Sequence, residues 1–203
     1  MWEGYWRGRW DESNREAGAL LAEIQGDRYP IVRIACHYLR AHIRLAQDDL
    51  AGALEDGEQA VRAAREWHTW GTLAIALAGL SRVLLAAGRN ADADALVTEA
   101  LEVGPDPYVL PDLAVCIVGL DRQSDLPNDP RPSAWLDAAN AFAAGDLVGA
   151  AELYAGIGSL PDEADARLRS RVETEVLRAL EFYRSVGATR YIREGEALLT
   201  ASA

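Results

Sequence analysis

The sequence contains no lysine; all 20 of its basic residues are arginine. Without Lys a phosphate-cradling loop of the form GxxxxGK[ST] cannot be written, so that class of nucleotide site is excluded. Phenylalanine occurs twice, methionine once and cysteine twice in 203 residues. β-branched runs are scarce as well, which removes the usual material of a sheet. The longest apolar run, Leu73–Ala87, holds Ser81 and Arg82. A bilayer span takes about 20 apolar residues, so this run reads as a buried helix. The opening MWEGYWRGRW has no apolar core segment and is not a signal peptide. Positive charge is in deficit, with a formal net charge of −12. Nucleic-acid binding needs a positive footprint that displaces counterions, and an anionic membrane surface needs the same. Neither is expected as a partner. Cys36 and Cys116 lie inside apolar stretches and read as buried thiols in a reducing compartment, so the expected localisation is cytoplasmic.

What is present is alanine and helical periodicity. Half the residues are apolar, which with this Ala content favours helix over strand, and the expected class is all-α. The organising stretch is Leu45–Ala60, LAQDDLAGALEDGEQA: the end of one helix, a polar turn at Asp48-Asp49, and the start of a second helix. Small residues at Ala53, Gly57 and Ala60 let the second helix press closely on its partner. The pattern returns every 40 residues: Ser13, Ala53 and Ala93; Ala17, Gly57 and Val97; Leu20, Ala60 and Ala100; Met1, Ala41 and Ser81. A fixed period between 20 and 50 is the mark of a repeat array. The whole chain, 1–203, is read as one helical repeat domain, with regular repeats over 1–107, a loop over 121–132, and a last repeat with capping helices over 133–203.

Along the chain, Met1–Arg7 is too short for a full partner helix, so the sequence opens in the middle of a unit. Trp2, Trp6 and Trp10 fall at i, i+4 and i+8 on one helical stripe. They are expected to pack on the next helix or close the end of the array; the alternative is a self-association patch, giving a homodimer. Glu12–Gln25 is a helix stopped by Gly26-Asp27, and Pro30 starts the next one. Within Ile31–Gln47, Val32, Cys36, Leu39, Ile43 and Ala46 form one apolar stripe. Ile34, Tyr38, Ala41 and Leu45 form another, so this helix is sandwiched between neighbours. Its third face carries Arg33, His37, Arg40 and Arg44. Leu50–Arg65, Thr72–Ala87, Ala91–Val103 and Tyr108–Leu120 follow, with Gly104-Pro105-Asp106-Pro107 as a stop signal. Asp121–Pro132 is a polar, Pro-rich loop and the expected site of greatest internal mobility. Ser133–Ala144 and Leu147–Ile157 restore the unit across Gly145-Asp146. Pro161 opens a long helix to about Ser185, and Thr189–Leu199 caps the array.

Ala41, Asp48-Asp49-Leu50, Ala53 and Ala60, with Gly88, Ala93, Ala100 and Pro105, resemble the tetratricopeptide pattern of small residues around a Gly-Asp-type turn. Gly145-Asp146-Leu147, Ala150 and Tyr154 resemble it too. The period of 40 exceeds the usual 34. The segments Ala150–Ala164 and Phe182–Tyr191 are similar to the C-terminal region of actinobacterial multidomain proteins that join a signalling ATPase, a cyclase or a transcriptional regulator to a helical array. Between Arg169 and Glu175 this chain is shorter than that family. The resemblance implies a TPR-like superhelix of antiparallel helix pairs, free-standing or part of a parent regulator.

Chemistry is hard to find. His37 and His42 are five apart and point to different faces, so no metal is expected. The acidic pairs Asp48/Asp49, Glu55/Asp56 and Asp92/Asp94 sit at turns and helix starts, where they cap and meet the helix dipole. No Gly-x-Ser-x-Gly elbow occurs. The reading is a non-enzymatic scaffold without cofactors that binds a peptide or a partner domain in a concave groove. The candidate wall is Arg33, His37, Arg40 and Arg44, since Arg grips carboxylates in bidentate fashion, extended by Arg82 and Trp135. The plainer reading of that stripe is a face salt-bridged to Glu12, Glu16 and Glu23. A small-molecule-sensing regulatory domain and a self-associating module are the alternatives.

Overall fold

The computed structural model describes residues 1–24, 29–68, 70–127 and 133–202, which are all-helical with no strand among them. Eight of the helices pair into four hairpins. The first pairs α1 (Trp2–Trp6) with α2 (Trp10–Glu23), and the second pairs α3 (Pro30–Ala46) with α4 (Leu50–Glu66). The third pairs α5 (Trp70–Ala86) with α6 (Asn90–Val103). A 3-10 turn at Pro107–Val109 leads into α7 (Leu110–Gly119), and the fourth hairpin pairs α8 (Ala134–Ala143) with α9 (Leu147–Ile157). Then come α10 (Leu160–Arg169), α11 (Glu173–Ser185) and α12 (Thr189–Ser202).

The hairpin turns explain the period. Gly8, Asp48 and Gly88, each 40 residues from the next, all adopt left-handed backbone, with φ of 76°, 69° and 73°. The residue after each donates its amide back to a carbonyl five positions earlier: Arg9 to Gly4, Asp49 to Arg44 and Arg89 to Leu84, at 2.7–2.9 Å. Gly145, with φ of 83°, and Asp146 repeat this in the fourth hairpin, and Asp146 donates to Ala141 at 2.9 Å. This left-handed closure satisfies carbonyls that a helix end leaves open. Asp49 and Asp146 then cap the following helix by accepting from the amides of Gly52 and Gly149. The small residues of the period are the seats of close packing: Ser13, Ala53, Ala93 and Ala150 are all buried.

The two apolar stripes of α3 are both used. Ile34 joins a core made by α4, α5, α6 and α7, while Ala41 and Leu45 pack with Ala53 and Val83. The other stripe, Cys36, Leu39, Ile43 and Ala46, packs with Trp10 and Ala17 and also with Leu168, Val176, Leu180 and Tyr183. The last three helices therefore return onto α2 and α3. A third core joins α7, α8 and α9, with Ala166 of α10 reaching into it.

Two expectations change. The long helix from Pro161 to Ser185 is two helices, α10 and α11, separated where Arg171 takes φ of 56°. The break lets α11 fold back so that Leu168 and Leu180 share one core, and it leaves Val172 exposed. The loop after Asp121 begins with the same left-handed turn as the hairpins, Arg122 donating to Ile117, and continues as a 3-10 turn at Gln123–Asp125. Its Pro-rich end, and the Gly26-Asp27 stop, lie outside the described residues. Among the described residues no helix is long and apolar enough to cross a membrane.

Candidate functional site

A cavity of about 310 Å³ opens where α1, α3, α5, α7, α8 and α10 converge. Helix α1 contributes Trp2, Tyr5 and Trp6 on one short turn-and-a-half, and α3 contributes Ile34, Ala35, Tyr38 and His42 at helical spacing. Tyr108 and Trp135 complete an aromatic wall, and Ile31 and Tyr108, both exposed, stand at the mouth. The rings touch in series: Trp2 lies 5.2 Å from Tyr38, Trp6 lies 6.0 Å from Trp135, and Tyr108 lies 5.9 Å from Trp135. Tyr38 and His42 are 4.4 Å apart.

The floor is charged. Asp112 enters at the first turn of α7 and is buried. Tyr38 Oη donates to its Oδ2 at 2.6 Å, and the Arg82 guanidinium donates to Oδ1 at 3.1 Å. His42 Nε2 lies 3.2 Å from Oδ2, close enough for a charge contact but not aligned as a hydrogen bond. Burial would raise this carboxyl, but His42, Arg82 and the Tyr38 hydroxyl hold it well below the usual range. Beneath the floor Arg82 also meets Asp165 Oδ1 at 3.1 Å, and Arg169 donates to Asp165 Oδ2 at 2.9 Å. The two Arg and two Asp thus form one chain of alternating charge.

Asp162 stands apart from that chain. Its Oδ2 accepts from the Ser159 hydroxyl at 2.5 Å, and among the described residues it has no cation within ion-pair distance. Burial pushes its carboxyl up to about 6, although the Ser159 hydrogen bond pulls the other way. Asp162 lines the cavity, and among the described residues its other oxygen makes no hydrogen bond or ion pair.

The basic stripe of α3 lies elsewhere. His37 Nδ1 is 2.7 Å from Asp56 Oδ1, while Arg40 and Arg44 reach Asp56 Oδ2 at 3.3 and 2.7 Å. Among the described residues the anionic partner of His37, Arg40 and Arg44 is the buried Asp56 of the following helix rather than Glu12 or Glu16 of the preceding one. Glu16 instead meets the Met1 amino group, and Glu12 meets Arg9. Arg33 donates to the carbonyl of Ile24 at 3.4 Å. Arg82 sits in the ion network, and Trp135 is in the cavity wall. Of the Trp stripe, Trp2 and Trp6 face the cavity and Trp10 is core, stacked on Tyr5 at 5.4 Å. His37 and His42 do point to different faces.

Sequence reasoning passed over Tyr5, Tyr38, Tyr108, Asp112 and Asp162. A signal for one pair existed: Arg82 is the lone charge of Leu73–Ala87, and Asp112 is the lone charge of Tyr108–Leu120. Single opposite charges in two fully apolar helices must find each other, because a buried charge is tolerated only when paired. No group of three or more His, Cys, Asp or Glu able to hold a metal occurs among the described residues. Comparison with protein-family models, with curated proteins and with solved structures finds no match to this chain.

Proposed function

We propose that this chain is a non-enzymatic regulatory binding module, a tetratricopeptide-like array of helix hairpins that lodges a small molecule in the aromatic cavity. The observation that carries this reading is the cavity itself, about 310 Å³ with an apolar wall and few polar groups. Ligand sites have that size and that lining, whereas a protein interior otherwise fills its space because empty volume costs stability. The wall is assembled from the first helix, the middle of the chain and α10, so an occupant would tie together helices distant in sequence. Coupling of that kind suits a sensor that reports to another domain of a parent regulator.

Binding without turnover fits the floor. Asp112 is spent on Tyr38, His42 and Arg82, which leaves Asp162 as the one carboxylate lining the cavity that, among the described residues, no cation holds. A second reading has a peptide partner insert one side chain into the same cavity. The exposed Ile31 and Tyr108 beside the mouth favour it, as apolar surface that a partner would cover.

The test is a thermal-shift screen of a metabolite panel, since a ligand that binds only the folded chain raises the melting temperature by mass action. At least one compound is expected to raise it by several degrees, and Ala35→Trp, which fills the cavity, is expected to abolish the shift. A panel without effect, beside an Ala35→Trp variant that is simply more stable, would make the cavity a packing defect and end this reading.

A further inference from the structure

We propose that the ligand of this cavity is an organic ammonium cation, seated against the indole and phenol faces and paired with the carboxylate of Asp162. The inference rests on the small-molecule reading above and adds the charge and chemical class of the occupant.

Two carboxylates reach the cavity, and they are not equivalent. Both oxygens of Asp112 are engaged, Oδ1 by Arg82 and Oδ2 by Tyr38 and His42. Asp162 has the Ser159 hydroxyl on one oxygen, and among the described residues its carboxylate makes no other hydrogen bond or ion pair. Arg82 lines a small neighbouring space together with Asp162, but its guanidinium is already engaged by Asp112 and Asp165. A carboxylate that lines an aromatic cavity without a cation is a costly arrangement in the empty protein, and a cationic ligand offsets it.

The walls select in the same direction. Trp2, Trp6, Tyr38 and Trp135 line the cavity, and the faces of aromatic rings carry a quadrupole that attracts positive charge, most strongly for Trp. An anionic ligand would meet both these faces and Asp162 with the wrong sign. A neutral apolar ligand would fill the volume but leave Asp162 further desolvated and still unpaired. Only a cation satisfies the wall and the floor together. The chain's formal net charge of −12 also concentrates cations near the mouth.

The experiment is calorimetric titration of the full chain with choline and with 3,3-dimethylbutan-1-ol, its uncharged isostere in which carbon replaces the ammonium nitrogen. Choline is expected to bind about tenfold more tightly than the alcohol. In Asp162→Asn, which keeps the shape and can still accept from Ser159, choline is expected to lose most of its advantage over the alcohol, and Trp135→Leu is expected to weaken choline more than the alcohol. Equal binding to the unsubstituted protein, or a preference for the alcohol, overturns the cation assignment while leaving the small-molecule reading intact. Absence of choline binding at about 10 mM also overturns it. The metabolite panel decides the small-molecule reading separately.

Discussion

Arg193 closes on Asp48 across 145 residues of chain, its two terminal nitrogens meeting the two carboxylate oxygens at 2.5 and 3.2 Å. Arg190, one helical turn away on α12, reaches Asp48 at 3.6 Å and the carbonyl of Ala86 at 3.3 Å. The last helix is thus fastened to the turn of the α3–α4 hairpin and to the end of α5. Asp48 has two duties that pull in different directions: its carboxylate binds Arg193, while its backbone holds the left-handed turn that Gly holds in the sister hairpins. Asp48→Ala loses the ion pair and keeps the strained backbone; Asp48→Gly loses the pair but relaxes the turn. Asp48→Gly is therefore expected to melt about 3 °C above Asp48→Ala. Scanning calorimetry of the two variants measures the difference, and equal melting temperatures would show that the turn carries no strain.

Arg82 is the hinge of the buried charges, bonded to Asp112 on one side and Asp165 on the other. Replacing it by Met leaves two carboxylates without their shared cation in the interior. A cost of about 3–5 kcal/mol is expected, because removing one partner strands the others. Adding Asp112→Asn and Asp165→Asn to Arg82→Met is expected to recover part of it, since the stranded charges are gone. Urea titration of the single and triple variants measures both steps.

Much of this architecture is legible in the sequence, and the limits have physical causes. The turn at Asp48-Asp49 and the small residues Ser13, Ala53 and Ala93, spaced 40 apart, were legible because turn geometry and small-residue contacts are local. The partner of the Cys36–Ile43 stripe was not legible. It is built by Leu168, Leu180 and Tyr183, more than a hundred residues away, and apolar stripes do not specify which other stripe they meet. The break at Arg171 was hidden because an Arg in left-handed backbone has no signature like that of Gly or Asn. Asp112 and Asp162 each follow a proline at a helix start, so they read as first-turn acids that favour the dipole. Burial turned them into the floor of a cavity instead. The Arg33, His37, Arg40 and Arg44 face was visible as basic, but the engagement of His37, Arg40 and Arg44 by Asp56 depends on how deeply α4 sets that carboxylate against α3.

The raised carboxyl of Asp162 sets a pH dependence with a definite sign. Its folded value, about 6, lies above the 3.8 of an unperturbed Asp. Between those values the folded chain retains a proton that the unfolded chain has lost, so this group's contribution to stability falls as pH rises through the window. Asp162→Asn removes that dependence. The variant is expected to be about 2 kcal/mol more stable than the parent at pH 7.5, allowing for water that reaches the carboxyl from the cavity, and equal to it at pH 4. Tyr5, His42, Arg82 and Tyr191 line the same small space, and the charges of Asp112, Arg82 and Asp165 act on Asp162 from around it. Urea midpoints of the two proteins from pH 4 to pH 8 measure the difference, and a constant gap across that range would show Asp162 to be ionised throughout.

Gly79 lets the cavity wall stand where it does. A Cβ on this buried α5 residue would come within 2.7 Å of Cδ2 and Cε2 of Tyr38 and within 3.3 Å of His42 Nε2. The Tyr38 ring cannot simply swing aside, because its hydroxyl is bonded to Asp112 at 2.6 Å and its centroid lies 5.2 Å from that of the Trp2 ring. Gly79→Ala gains helix propensity of about 1 kcal/mol but must displace a ring tied at both ends, so a net loss of about 1–3 kcal/mol is expected. Gly18 is the control: it lies in α2 with nothing within 4 Å of an added Cβ, so Gly18→Ala is expected to stabilise by up to about 1 kcal/mol. The displaced ring should also move the indole of Trp2, and therefore shift tryptophan emission in Gly79→Ala and not in Gly18→Ala. Stabilisation by both substitutions, with emission unchanged, would mean that Tyr38 moves freely and that the bond to Asp112 does not hold the wall.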